Sequence, residues 1–134
     1  MNKVGKKNIV FGFAYMVITV ALGMFLANKL GSGDASWFDS EARSYLKTAH
    51  VHGNLEGFFN VMAGFVLAHF GGKVMMLARI ASVTAMVGAI FHSGMLFLAG
   101  LGLGAAMNLA PVGAISTLVT AVLLAVITYK GFEE

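Results

Sequence analysis

Residues 8–28 read NIVFGFAYMVITVALGMFLAN, a run without a charged side chain. Three further stretches, residues 51–68, 80–107 and 109–129, are similar, and Glu56 is the one acidic residue in the four. An α-helix rises about 1.5 Å per residue, so about 20 apolar residues cross the roughly 30 Å of hydrocarbon in a bilayer. Each stretch therefore predicts a membrane-spanning helix.

The composition supports this interpretation, because 58% of the 134 residues are hydrophobic and the mean hydropathy is +0.83. A soluble domain has an apolar share nearer one half, and membrane barrels show short alternating segments instead of long apolar runs. The predicted fold class is all-α, a four-helix transmembrane bundle with short loops. The chain is expected to form a single domain over 1–134 and to be a multi-pass protein of the cell membrane. The predicted helices cover approximately 8–29, 43–70, 74–101 and 107–130.

The basic residues predict the orientation of the bundle. The first apolar run is too long for a signal peptide and lacks a small-x-small cleavage site, so we interpret it as a retained helix. The positive-inside rule predicts a cytoplasmic N-terminus and a cytoplasmic C-terminus. Six basic residues lie on that side and three on the other: Lys3, Lys6, Lys7, Lys73, Arg79 and Lys130 against Lys29, Arg43 and Lys47. These basic residues account for the net charge of +3 as residues that fix the orientation in the membrane. Membrane lipid is therefore the expected partner, and nucleic acid is not.

Caps and turns mark the ends of the predicted helices. Ser40 is a candidate N-cap, so the second helix is expected to begin near residue 41. Gly71-Gly72-Lys73 predicts a tight turn between antiparallel helices, and Pro111 fits the first turn of the last helix. Small residues recur at helical spacing, which predicts close helix packing; the alternative is a smooth surface for a cofactor. They are Gly53, Gly57, Gly64, Gly88, Gly100 and Gly104.

Ionisable and amide side chains are concentrated at the beginning of the second helix, between residues 48 and 60. Such groups are costly inside a membrane and are functional candidates by default. Helical geometry places them on two stripes, so that the two histidines point about 160° apart. Thr48, His52, Glu56 and Asn60 form one stripe, and His50, Asn54 and Gly57 form the other. His52 and Glu56, one turn apart, are suited to bind a metal, or Glu56 to orient the imidazole.

Two more histidines lie outside this cluster. His92, near the middle of the third predicted helix, is open to three interpretations: axial haem ligand, proton-relay member or hydrogen-bond donor between helices. His69 is interpreted as structural. The alternative for His50, His52 and Glu56 is a purely structural role, in which their hydrogen bonds join neighbouring helices; we call this arrangement a polar clasp. Haem b fits a histidine-bearing helix in a cysteine-free chain, since it needs only one or two imidazoles and an apolar slot.

The segment from Ala49-His50-Val51 to Glu56-Gly57 resembles the corresponding segment of styrene oxide isomerase. The resemblance implies four helices per subunit, a trimer, and haem b held between neighbouring subunits with His50 as the axial iron ligand. It also implies that ferric haem acts as a Lewis acid that turns an epoxide into an aldehyde. The chain departs from the family pattern at Glu56, where the family has an amide side chain. It also departs at Met95 and Leu96, where the family has a side chain with an aromatic hydroxyl.

The function predicted from these observations is therefore a haem b protein related to this isomerase, acting on a small hydrophobic substrate. The expected assembly is a homotrimer or a subunit of a larger membrane complex. The alternative is a non-enzymatic haem-binding electron-transfer subunit or a structural accessory subunit. The predicted roles are catalytic for Glu56 and Asn60, iron ligation for His50, and cofactor binding for His50, His52, Asn54, Gly57 and His92.

Overall fold

The computed structural model describes residues 3–132, and every regular element in this part of the chain is a helix. The all-α prediction is thus confirmed; the first two and last two residues of the predicted domain lie outside the described residues. A 3₁₀ turn over Gly104–Leu109 precedes the last helix. The α-helices are α1 (Lys3–Gly31), α2 (Ala35–Phe38), α3 (Glu41–Phe70), α4 (Met75–Phe91), α5 (Ser93–Gly100) and α6 (Ala110–Phe132).

Three helical stretches are long and apolar enough to cross a membrane: Lys3–Gly31, Met75–Gly100 and Gly104–Phe132. α3 has 30 residues but is less apolar, because it carries the histidines, amides and glutamate of the 48–60 cluster. By length and composition the described chain therefore has three candidate spans, and a crossing by α3 stays a prediction.

α3 is the central helix and contacts α1, α4, α5 and α6. It runs antiparallel to α1, and the two backbones come close at paired glycines. A Cβ atom added to Gly12 would lie 2.5 Å from the carbonyl oxygen of Gly57, and one added to Gly57 would lie 2.5 Å from Cγ of Met16. The predicted packing role of the small residues is confirmed along this seam, since only glycine permits so short a separation.

Polar side chains fill the centre of the bundle. Asn8 and Asn60 are 0% exposed, and Nδ2 of Asn8 donates to Oδ1 of Asn60 at 3.1 Å and to the Ser82 carbonyl at 3.1 Å. Nδ2 of Asn60 in turn donates to the Ala85 carbonyl at 3.0 Å, and the Ser82 hydroxyl donates to Oδ1 of Asn8. These bonds join α1, α3 and α4 through groups that would be costly to bury unpaired.

The predicted third helix, 74–101, is interrupted at His92. This residue has φ −97° and ψ −82°, far from the ψ of about −42° in a regular helix. The Ser93 hydroxyl oxygen lies 3.2 Å from the Ala89 carbonyl oxygen one turn earlier. The α6 backbone approaches the break at Gly113, where a Cβ atom would lie 2.5 Å from the carbonyl carbon of Phe91. The interruption turns His92 towards α3.

The helix ends agree with the sequence signals. α3 begins at Glu41, and the Ser40 hydroxyl accepts a bond from the Arg43 amide at 3.2 Å. The short α2 was not predicted; Asp34 caps it, and hydrogen bonding from the Ser36 hydroxyl lowers the pKa of the Asp34 carboxyl. The ring centroids of Phe70 and Phe132 are 4.8 Å apart, so the C-termini of α3 and α6 lie on the same side of the bundle.

Candidate functional site

His50 lies in α3 against α1, with its ring fixed by a backbone carbonyl. Its Nδ1 atom is 2.7 Å from the Thr19 carbonyl oxygen. Because a carbonyl can only accept, Nδ1 carries the hydrogen and donates it, which leaves the lone pair of the neutral imidazole on Nε2. Gly23 makes room for the ring, since a Cβ atom there would lie 2.8 Å from Nδ1. Nε2 is thus the ring nitrogen that is left with a lone pair able to bind a metal.

Asn54 is the polar neighbour of His50, one turn later on the same stripe. Its Nδ2 atom is 3.1 Å from Nδ1 of His50, and its Oδ1 atom accepts a bond from the Thr19 hydroxyl at 2.8 Å. Thr19 therefore fixes both side chains, one through its carbonyl and one through its hydroxyl. The third member of the predicted stripe, Gly57, packs against Met16 and bears no polar group.

An open groove of about 260 Å³ borders His50. Most of its wall is apolar, and Arg43 and Lys47 add two cations. Lys29 lies nearby, 5.7 Å above the ring of Trp37. The groove thus combines one imidazole with apolar walls and basic side chains, a combination suited to a flat apolar group that carries carboxylates. The remaining lining residues are Leu26, Ala27, Leu30, Trp37 and Val51.

A second polar cluster lies in a different groove and is built on Glu56. Oε1 of Glu56 is 2.5 Å from Nδ1 of His92, and Oε2 accepts a bond from the Ser93 hydroxyl at 2.5 Å. The hydroxyl oxygens of Ser93 and Tyr15 are 2.8 Å apart, and Tyr15 also donates to the Ala89 carbonyl at 2.8 Å. The rings of His52 and His92 stand edge to face with centroids 4.7 Å apart. His52, Glu56 and His92 together form a group able to hold a metal ion.

The structure separates the predicted site residues into three places. His50 and Asn54 border the first groove, whereas His52, Glu56 and His92 line the second. Asn60 belongs to the buried amide network and lines neither groove. The structure therefore does not bring Glu56 and Asn60 to the groove of His50. The ring of His69 packs against that of Phe70, with the ring centroids 4.5 Å apart, which is consistent with the structural role predicted for His69.

Sequence reasoning missed Tyr15 and Thr19, which connect α1 to both clusters. A signal for them exists in the first apolar run. Asn8, Tyr15 and Thr19 are its only polar side chains before Asn28, and their separations of seven and four residues place them on one helix face. Polar residues on one face of an apolar helix mark the side that faces the protein interior.

Comparison with known proteins gave no match, either to a protein-family model, to a curated protein or to a solved structure. The resemblance to styrene oxide isomerase accordingly depends on the residues of the 49–57 segment.

Proposed function

We propose that this chain is a four-helix integral membrane protein that binds haem b through His50 and isomerises a small hydrophobic epoxide to an aldehyde. Membrane insertion is supported by the inverted distribution of polarity. Phe13, Val17 and Leu118 are 56–70% exposed on the outer surface. The centre holds Asn8, Glu56 and Asn60. Lipid is the solvent that stabilises an apolar exterior around a hydrogen-bonded polar centre.

The observation that carries the haem proposal is the orientation of His50. Haem-ligating imidazoles are usually held by a hydrogen bond from the second ring nitrogen, which fixes the tautomer and makes the ligand more basic. The bond from Nδ1 to the Thr19 carbonyl provides this support. The neighbouring groove provides apolar contacts for a porphyrin, and Arg43 and Lys47 are suited to pair with its propionates.

The groove is open, so a second copy of the chain or lipid would cover the rest of the porphyrin. This arrangement is compatible with the homotrimer that the family resemblance implies. A bis-imidazole site within one chain is not favoured, because His52 and His92 line the other groove with Glu56.

For the reaction, ferric haem would supply a Lewis acid that polarises the epoxide oxygen. The rearrangement breaks one C–O bond and moves a hydride to the adjacent carbon, so the aldehyde forms without net redox change. The chain's own contribution is to hold His50 through Thr19 and to surround the substrate with apolar side chains. Exclusion of water by such walls favours rearrangement over hydrolysis to a diol.

The test is the absorption spectrum of detergent-purified protein after reconstitution with hemin. We expect a Soret band for the wild type and for the matched control His69→Ala, and loss of the band for His50→Ala. A wild type that stays colourless with excess hemin would refute the haem proposal.

Conversion of styrene oxide by the same samples then tests the reaction. We expect aldehyde from the wild type and at least a hundredfold less from His50→Ala. A coloured, low-spin, six-coordinate wild type without isomerase activity would instead favour the electron-transfer alternative, since two strong axial ligands leave iron no open position.

A further inference from the structure

We propose that His52, Glu56 and His92 form a binding site for one divalent transition-metal ion, separate from the groove at His50. The proposal goes beyond the haem function, and its residues do not overlap with the predicted iron ligand. It is based on the ligand geometry, the burial of the carboxylate and the free ring nitrogens.

Three helical segments converge to form this site. His52 and Glu56 lie one turn apart on α3, and the interruption between α4 and α5 turns His92 towards them. One ligand atom from each of the three residues can be chosen so that all lie within 4.8 Å of one another. Zinc bonds of about 2.0–2.1 Å in tetrahedral geometry require ligand atoms about 3.3 Å apart, so the most widely separated pair would have to approach by no more than about 1.5 Å.

The burial of the Glu56 carboxyl group favours a cation as its partner at this place. The residue is only 5% exposed, and an ionised carboxylate with so little water is costly unless it is paired. A metal ion would take the place of the direct contact between Glu56 and His92, whose Oε1 and Nδ1 atoms are 2.5 Å apart. The bond from Ser93 to Oε2 would remain and would orient the carboxylate, as outer hydrogen bonds do in metal sites.

His52 distinguishes a metal site from a polar clasp. Within the part of the chain that the structure describes, its ring nitrogens make no hydrogen bond, although its ring contacts that of His92. A clasp between α3 and α5 is complete with Glu56, His92 and Ser93 alone. His52 adds nothing to the clasp, whereas it adds the second imidazole to a metal site.

The ligand set and the groove define the class of metal. Two imidazoles and one carboxylate suit zinc and iron(II), whereas magnesium and calcium take mainly oxygen ligands. The groove beside the cluster has a volume of about 380 Å³ and is walled by Leu55, Phe59, Ala114 and Thr117. It leaves room for a water molecule or small ligand in the fourth position, as in catalytic sites.

The test measures zinc directly, so that haem absorption does not interfere. Protein purified in detergent through a histidine-free tag is stripped with a chelator, incubated with Zn²⁺, desalted and analysed by mass spectrometry for metal. We expect about one zinc per chain for the wild type and for His69→Ala, and at least about tenfold less retained zinc for His52→Ala and Glu56→Gln. Zinc should raise the melting temperature of the wild type and leave that of His52→Ala unchanged.

Equal zinc binding by the wild type and His52→Ala, or none by either, would overturn the proposal and leave the polar clasp. Folding of each variant is verified by its size-exclusion profile. Because His52→Ala removes no hydrogen bond, it is expected to remain folded. The result is independent of the haem proposal, which is decided by the Soret band of His50→Ala.

Discussion

At the scale of single residues, the buried amide of Asn60 joins three helices at the centre of the bundle. It accepts from Asn8 and donates to the Ala85 carbonyl. We expect Asn60→Ala to lower the free energy of unfolding by about 1–3 kcal/mol, because the bonds from Asn8 and to the Ala85 carbonyl are lost while these groups stay buried. Denaturation in mixed micelles measures the change. Asn28→Ala, at an exposed position of α1, is the matched control and should have little effect.

The orientation of His50 makes a second prediction at this scale. A methyl group on Gly23 would collide with the imidazole, so Gly23→Ala should displace the ring from the Thr19 carbonyl. We expect the haem content after reconstitution to fall several-fold while the protein stays folded. Gly31→Ala, where a Cβ atom meets nothing within 4 Å, should retain its haem. Equal haem retention by the two variants would contradict the role assigned to the His50 ring.

The sequence predicts local groupings at this scale better than distant ones. His50 and Asn54 are neighbours, as the helical period of α3 requires, and their contact follows from spacing alone. The pairing of Glu56 with His92 joins residues 36 positions apart and depends on how α4 and α5 pack. Periodicity within one helix carries no information on that packing.

At the scale of helices, the seam between α1 and α3 is fixed by backbone contact. A Cβ atom on Gly12 would meet the carbonyl oxygen of Gly57 and the amide nitrogen of Val61, at 2.5 and 2.8 Å. Backbone atoms cannot move aside as a flexible side chain can, so Gly12→Ala must separate the helices. We expect a loss of about 1–3 kcal/mol in the free energy of unfolding, the usual cost of overpacking.

The same denaturation assay checks this prediction, again with Gly31→Ala as the control. An unchanged stability of Gly12→Ala would mean that α1 and α3 are not in backbone contact.

The sequence predicts the positions of the long helices well, because apolar runs and caps are local signals. The break at His92 was not predicted, and the apolar run continues through it without a proline. The cause lies between helices. The Glu56 carboxylate and the α6 backbone at Gly113 contact the 91–93 segment from two sides. Only the assembled bundle brings these groups together.

At the scale of the whole molecule, α3 is the element that decides the topology. Its polar groups lower its hydropathy below that of the other long helices, yet Glu56 and Asn60 are buried. Glu56 contacts His92 and Ser93. Asn60 bonds Asn8 of α1 and the Ala85 carbonyl of α4. A helix enclosed by apolar neighbours can cross a bilayer with polar residues, provided that they face the protein. By hydropathy the described chain has three candidate spans, and the burial of these polar groups is compatible with the proposed fourth crossing by α3.

This topology makes the last prediction. The chain has no cysteine, so single cysteines report position without background labelling. Ser36, Gly72 and Gly104 are exposed in the three connections between long helices. If α3 crosses the membrane, a membrane-impermeant maleimide should label Ser36→Cys and Gly104→Cys in intact cells and Gly72→Cys only after permeabilisation. If α3 does not cross, Ser36→Cys and Gly72→Cys would be labelled together. Labelling of Gly72→Cys alone would keep the four crossings and reverse the orientation expected from the six basic residues on its side.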